Sequence, residues 1–158
     1  MLQKIISGAQ TGADRAGLDF AIEAGLGHGG FVPKGRKAED GRIDDRYQLI
    51  ELPTASYPAR TKRNVRESGG TAIFSLNAAL SGGSILTLNY AKGAKKPVIH
   101  LHASNKADPA TQLKDFIASN QIETLNVAGP RESKEPGVYE FTLAVLRRYW
   151  KERPRQES

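Results

Sequence analysis

Short apolar runs alternate with segments of helical period along the whole chain. Lys4 to Ser7 reads as a strand, and Ala13 to Ala24 as a helix with Leu18, Ala21 and Ile22 on one face. Gly30 to Val32 reads as a short strand. The polar stretch from Pro33 to Leu52 has no period that assigns it. Ser56 to Ser68 reads as a basic helix, with Ser56 a candidate N-cap and Pro58 in the first turn.

Thr71 to Leu76 is the next apolar strand, followed by a helix from Ser84 to Lys92 and a strand from Pro97 to Leu101. Asp108 and Pro109 have the cap-and-first-turn order that opens a helix. Thr124 to Ala128 reads as a strand. Pro136 to Trp150 reads as a final helix that buries Val138, Phe141, Val145 and Tyr149.

Strands separated by helices imply crossover connections and a mostly parallel sheet. The middle strands are nearly all apolar, as strands covered on both faces should be. The expected fold is therefore α/β, a Rossmann-like three-layer sandwich around a mostly parallel central sheet of about five strands. Residues 1–150 read as a single domain, and residues 151–158 as a charged, flexible tail.

Composition narrows the chemistry. The chain of 158 residues contains no cysteine, which excludes disulfides, cysteine nucleophiles and Cys-ligated metal centres. The net charge is +6, from 23 Lys plus Arg against 17 Asp plus Glu, which favours anionic partners. Met1 to Ile6 is too short an apolar run for a signal peptide, and no segment approaches the roughly 20 apolar residues of a membrane span. A cytoplasmic protein without a membrane partner is the expectation.

In open parallel sheets, ligands bind beyond the carboxyl ends of the strands. Three loops there are rich in glycine and hydrogen-bonding side chains. The first is Gly8, Ala9, Gln10, Thr11 and Gly12, followed by Asp14 and Arg15. It leads into a helix N-terminus, where backbone N–H groups and the helix dipole favour phosphate. Its spacing fits neither G-x-G-x-x-G nor the P-loop. Thr11 and Asp14 also have the spacing of a capping box, so both a cap and a ligand role stay open for Asp14.

The second loop is Ser81, Gly82, Gly83 and Ser84, again before a helix; a tight turn with Ser84 as N-cap is the alternative. The third is Gly129 to Ser133, where Arg131 is a candidate fork for phosphate or carboxylate. Lys34, Gly35 and Arg36 after the second strand, and Arg63 with Asn64 on the basic helix that also carries Arg60, Lys62 and Arg66, are candidates to complete an anion pocket. A wet basic helix face accounts for the same residues.

Glu39, Asp40, Asp44 and Asp45 are acidic candidates for acid–base or Mg²⁺ chemistry, with a solvated loop as the alternative. His100 and His102 share a strand face, but no third metal ligand accompanies them, so no metal site is assigned. No nucleophile elbow is visible. Aromatic residues make up 7% of the chain and form no stripe for base stacking, which argues against single-stranded nucleic-acid binding.

The segment Ile6 to Ala16 resembles the S-G-G-Q-T-G-x-D-R-A opening of the bacterial "putative molybdenum carrier" family. Four further stretches are similar to that family's course: Pro33 to Arg36 with Ala38 to Gly41, Arg60 and Thr61 with Arg63 to Val65, Ser81 to Ser84 with Leu86 and Thr87, and Asn126 to Arg131. The resemblance extends to about Trp150. Position 9 departs from it, with Ala where Gly is usual, and Ala tolerates positive φ less well.

That family looks like a branch of the SLOG superfamily of Rossmann-like nucleotide-binding domains. Relatives include the "lysine decarboxylase-like" phosphoribohydrolases, a DNA-processing single-strand-binding domain and an algal molybdenum cofactor carrier. The resemblance implies a homo-oligomer with an anion pocket, whose ligand is molybdenum cofactor (molybdopterin) or a nucleotide. The phosphoribohydrolases carry a catalytic Glu in P-G-G-x-G-T-x-x-E, whereas Ser81 to Tyr90 contains no acid. The expected function is thus binding or carriage of a phosphate-bearing small molecule. A nucleotide- or nucleotide-sugar-processing enzyme, with Asp14 or Glu39 as acid or base, is the alternative, and single-stranded nucleic-acid binding, suggested by the net charge and the Arg60 to Arg66 helix, is the second alternative.

Overall fold

The computed structural model describes residues 1–155. The central sheet holds five strands: β1 (Lys4–Ile6), β2 (Gly27–Gly29), β7 (Gly70–Ser75), β8 (Val98–His102) and β9 (Thr124–Ala128). Their order is β2-β1-β9-β7-β8, and every pairing is parallel. From β1 the chain turns outward to β2, and from β7 outward to β8. The loops after β1 and β7 therefore diverge, with β9 between them, and a cleft opens where they part.

The helices are α1 (Ala13–Ala24), α2 (Tyr57–Glu67), α3 (Gly83–Gly93), α4 (Pro109–Ser119) and α5 (Val138–Glu152). Helix α5 packs against α1 and α4 on one face of the sheet. The main core lies there, with Phe20, Phe74, Leu101, Leu113, Leu125 and Leu146 fully buried. Phe74 meets Phe141 edge-on at 6.4 Å, and Phe20 meets Trp150 edge-on at 6.2 Å. Helices α2 and α3 pack together and complete the three layers. Because strand side chains alternate, Thr71, Ile73 and Asn126 face the α2–α3 side.

Local sequence accounts for the ends of these elements. Ser56 Oγ accepts the Ala59 N–H at 3.3 Å and caps α2, with Pro58 in the first turn. Gly25, at φ 73°, closes α1 in the left-handed region. Helix α5 begins at Val138, after Gly137, and continues through Lys151 and Glu152, which the sequence places in the tail. Residues 156–158 of that tail lie outside the described residues.

Three sequence-based expectations are corrected. The strand expected at Gly30 to Val32 is split. Gly27–Gly29 joins the sheet, whereas β3 (Phe31–Val32) pairs with β6 (Ile50–Glu51) in a separate ribbon. Gly30 makes the break: at φ 136° it lies so close to β1 that a Cβ there would stand 2.0 Å from the Ser7 carbonyl. The stretch from Pro33 to Leu52 also holds the hairpin β4 (Lys37–Ala38) and β5 (Gly41–Arg42). It buries Val32, Ile43 and Tyr47 with Ala9 and Leu18 in a second small core.

The capping readings at two helices fail as well. Gly12 is the N-cap of α1, without a side-chain cap, and Thr11 instead bonds Glu39 and accepts the Glu132 N–H at 3.2 Å. Gly82 is the N-cap of α3, so Ser84 is the second residue of that helix and caps nothing.

Candidate ligand-binding cleft

The loop after β1 forms one wall, and it is held from within. Ser7 Oγ accepts the Ala9 N–H at 3.1 Å and donates to the Asp14 carbonyl at 2.9 Å. The Gln10 N–H points to Asp14 Oδ2 at 3.4 Å, and Gln10 Oε1 accepts the N–H groups of Thr11 and Glu39 at 3.1 and 2.8 Å. Arg15 clamps the Ala9 carbonyl at 3.0 Å and forks onto Asp40 at 2.8 Å. The N–H groups of Ala9, Gln10 and Thr11 are thus engaged inside the protein. The loop is a stiff wall whose backbone donors are largely used.

Helix α2 supplies the opposite wall. Arg60, Thr61, Asn64 and Val65 form its inward stripe, and Asn64 and Val65 are buried. Asn64 clamps Phe31 through both backbone groups, accepting its N–H at 2.9 Å and donating to its carbonyl at 3.0 Å. Arg60 reaches across, donates to the Gly8 carbonyl at 2.8 Å, and lies 4.0 Å from Asp14 Oδ2. A Cβ on Gly8 would fall 2.5 Å from the Arg60 guanidinium, so only glycine leaves room for this crossing.

The N-terminus of α3 and the loop after β9 form the rim. Ser84 is buried, and its Oγ has no hydrogen-bond partner among the described residues. Such a group costs free energy unless something pairs with it. Arg131 and Lys134 border the same space from the β9 loop. Arg131 Nε stands 3.4 Å from Glu39 Oε2. Gly129 crosses so near β7 that a Cβ would lie 2.3 Å from the Phe74 carbonyl.

These walls enclose two adjoining cavities that share Asp14, Arg60, Gly83 and Gly129. The inner one has about 70 Å³ and reaches Gly8, Thr61, Asn64, Thr87 and Asn126. The outer one has about 240 Å³ and reaches Gln10, Tyr57, Ser81, Ser84, Arg131 and Lys134. Burial pushes the Asp14 carboxyl up from 3.8 to about 6; the Arg60 guanidinium, the Gln10 N–H and Arg15 pull it back only in part. A carboxyl so tuned inside a cleft is characteristic of functional sites.

Of the residues singled out in the sequence, Gly8, Gln10, Asp14, Asn64, Ser81, Gly83, Ser84, Gly129 and Arg131 line the cleft. Gly82 stands beside it at φ 54°, where a Cβ would lie 2.8 Å from Lys134 Nζ. Thr11, Gly12 and Arg15 border a separate cavity with Tyr47 and Tyr139. Lys34, Gly35 and Arg36 lie outside the cleft lining. Arg36 donates to the carbonyls of Ile43, Asp44 and Tyr47, and the Gly35 N–H bonds Glu51. Arg63 pairs with Glu67 at 3.1 Å and covers the Phe31 ring.

Glu39 accepts from Ser133 and Thr11, bonds that hold it below its ordinary value, ionised and engaged. Asp40 is bound by Arg15, and Asp45 by Arg42. His100 Nε2 meets Ser75 Oγ at 2.5 Å, and His102 Nδ1 meets Ser104 Oγ at 2.8 Å. Among the described residues, no cluster of three or more His, Asp or Glu gathers to hold a metal.

Sequence reasoning undervalued Arg60 and missed Thr61, Thr87, Asn126, Tyr57 and Lys134. Arg60 had a signal: Thr61, Asn64 and Val65 share its helical face, whereas Arg63 and Arg66 fall on the outer one. Asn126 lies mid-strand between the apolar Leu125 and Val127; buried, its Nδ2 donates to Thr71 Oγ1 at 3.2 Å.

The parallel sheet, its diverging loops and the polar cleft at their carboxyl ends define a Rossmann-like α/β protein. Residues 5–150 match the circularly permutated YpsA SLOG family, and the chain belongs to that family. It is also similar to a solved crystal structure, that of "Putative molybdenum carrier protein" from Syntrophus aciditrophicus SB. The two share 47% sequence identity over 94% of each chain, with a TM-score of 0.91. Among curated proteins, none matches the sequence. No helix of the described residues is long and apolar enough to cross a membrane.

Proposed function

We propose that this chain is a binding or carrier protein for a small molecule that ends in a phosphate, with the phosphate in the outer cavity. The observation that carries the reading is the unpartnered, buried Ser84 Oγ at the N-terminus of α3. It borders a space whose other charged lining is Arg60, Arg131 and Lys134 against Asp14. Helix N-termini and arginine forks both favour phosphate. The anion is assigned to this rim rather than to the β1 loop, because that loop's N–H groups are largely engaged.

The outer cavity of about 240 Å³ is smaller than the roughly 300–1,000 Å³ of sites that enclose a whole ligand. The outer cavity therefore holds the phosphate-bearing end rather than the whole ligand. The name of the solved neighbour speaks of molybdenum; molybdenum cofactor and nucleotides both offer such a phosphate end. Calorimetric titration with inorganic phosphate, a nucleoside monophosphate and molybdenum cofactor tests the reading. Saturable one-to-one binding that weakens with salt is expected, and its absence for every probe at low salt would overturn it.

The Asp14 carboxyl supports a second reading. An acid that titrates near 6 in a cleft suits proton transfer, so a nucleotide-processing enzyme with Asp14 as acid or base competes with the carrier. Chromatography of a nucleotide panel after incubation separates the two. Product that disappears in Asp14→Asn, with binding retained, favours the enzyme.

A further inference from the structure

We infer that the inner chamber is a distinct subsite for a small, uncharged, hydrogen-bond-donating group, so that the cleft selects phosphate esters bearing a hydroxyl or amide near the anion. This rests on the outer cavity being the phosphate seat and adds what stands beside the phosphate.

Size gives the first argument. A dry cavity of about 150 Å³ holds a benzene ring, and one water needs about 10–15 Å³. The inner chamber, at about 70 Å³, lies between them. It admits a group of a few heavy atoms and excludes an intact base.

Charge gives the second. Asp14 and Arg60 are the charged residues in its lining, 4.0 Å apart. An anion placed there meets the Asp14 carboxylate, and a cation meets the Arg60 guanidinium. The balanced pair favours a neutral guest.

Hydrogen-bond capacity gives the third. Several donors in the wall are engaged: Asn126 Nδ2 with Thr71, Asn64 Nδ2 with Phe31, Arg60 Nη1 with Gly8, and the Thr87 hydroxyl with the Gly83 carbonyl at 3.0 Å, whereas Arg60 Nε and Nη2 and the Thr61 hydroxyl bond no described residue. The acceptors are freer still. Asp14 Oδ1 and Asn126 Oδ1 accept from no described residue, and Thr87 Oγ1 keeps its lone pairs. A chamber rich in free acceptors takes a guest that donates.

Length-matched probes test this. Glycerol 3-phosphate and ribitol 5-phosphate are titrated against n-propyl and n-pentyl phosphate by calorimetry, on the whole chain and on Asp14→Asn and Thr87→Val. The polyol phosphates are expected to bind about tenfold or more tightly than their alkyl counterparts. Both variants are expected to reduce that preference severalfold, and Asp14→Asn to strengthen alkyl phosphate binding by removing a nearby negative charge. Equal affinities within both pairs overturn the donor subsite while leaving the phosphate seat standing. Failure of all four probes overturns the phosphate seat, and the subsite with it. A preference unchanged in both variants places donor recognition elsewhere and also overturns the inference. Should Asp14→Asn fail to fold, the near-isosteric Thr87→Val carries the test alone.

Discussion

Arg60 and Asp14 face each other at 4.0 Å across the cleft, yet the carboxylate remains hard to ionise. The reason is burial, which outweighs the Arg60 charge beside it. Arg60 Nη1 also donates to the Gly8 carbonyl at 2.8 Å. This one relationship ties the β1 loop to α2 and sets the chemistry of the cleft.

Asp14→Asn is expected to stabilise the protein at neutral pH. The folded state holds the Asp14 proton more tightly than the unfolded chain, with a pKa of about 6 against 3.8. Its contribution to stability is full below 3.8 and is lost as pH rises through 6. Ionised Asp14 then costs up to about 3 kcal/mol, at 1.36 kcal/mol per unit. Urea unfolding at pH 4, 5, 6 and 7.5 measures it. The gain of the variant should grow across that series and nearly vanish at pH 4; a gain independent of pH contradicts the assignment.

Arg60→Met is expected to lower stability by about 1–3 kcal/mol, because it leaves the Gly8 carbonyl and the buried Asp14 without their cation. Phosphate binding should fall with it. Arg60→Lys keeps a charge but not the planar fork, so it should recover part of the stability and little of the binding. Paired unfolding and calorimetry distinguish these outcomes. Full binding by Arg60→Met removes Arg60 from the site.

The fold was legible wherever elements were long enough to show a period. Ala13–Ala24 and Thr124–Ala128 coincide with α1 and β9, and the mostly parallel sheet follows from the alternation. Gly27–Gly29 escaped because a three-residue strand of Gly, His and Gly carries no apolar signal. Phe31–Val32 falls within the strand read at Gly30 to Val32, but its partner β6 and the β4–β5 hairpin escaped because two-residue strands have no period at all. In the cleft, the glycine loops announced themselves through backbone chemistry. Thr87 and Asn126 did not, since a polar side chain facing a chamber and one facing solvent look alike in sequence. Thr11 and Asp14 misled for a related reason: cap spacing is local, whereas Thr11 is claimed by Glu39 and Glu132 from distant segments.

Two glycines separate folding from binding. A methyl on Gly129 meets the Phe74 carbonyl at 2.3 Å and the Ala13 Cβ at 2.6 Å, and the backbone cannot yield cheaply. Gly129→Ala should lose about 2 kcal/mol or more. A methyl on Gly83 meets nothing within 4 Å, and Gly83 lines both cavities. Gly83 opens α3, where Ala is the better helix former, so Gly83→Ala should fold at least as stably as the parent. It should still weaken phosphate-ester binding by occupying the cleft. Thermal unfolding and titration of the two variants are expected to give opposite patterns.

Ser84→Ala tests the polar atom that carries the functional reading. Among the described residues the buried Oγ has no partner, so its removal should cost no stability and gain up to about 1 kcal/mol. If the hydroxyl serves a phosphate oxygen, the same variant should bind inorganic phosphate and phosphate esters several-fold more weakly. Stability and affinity then move in opposite directions, which a packing role cannot produce. Unchanged affinity together with raised stability would mark Ser84 as a tolerated defect and shift the phosphate seat toward Arg131 and Lys134.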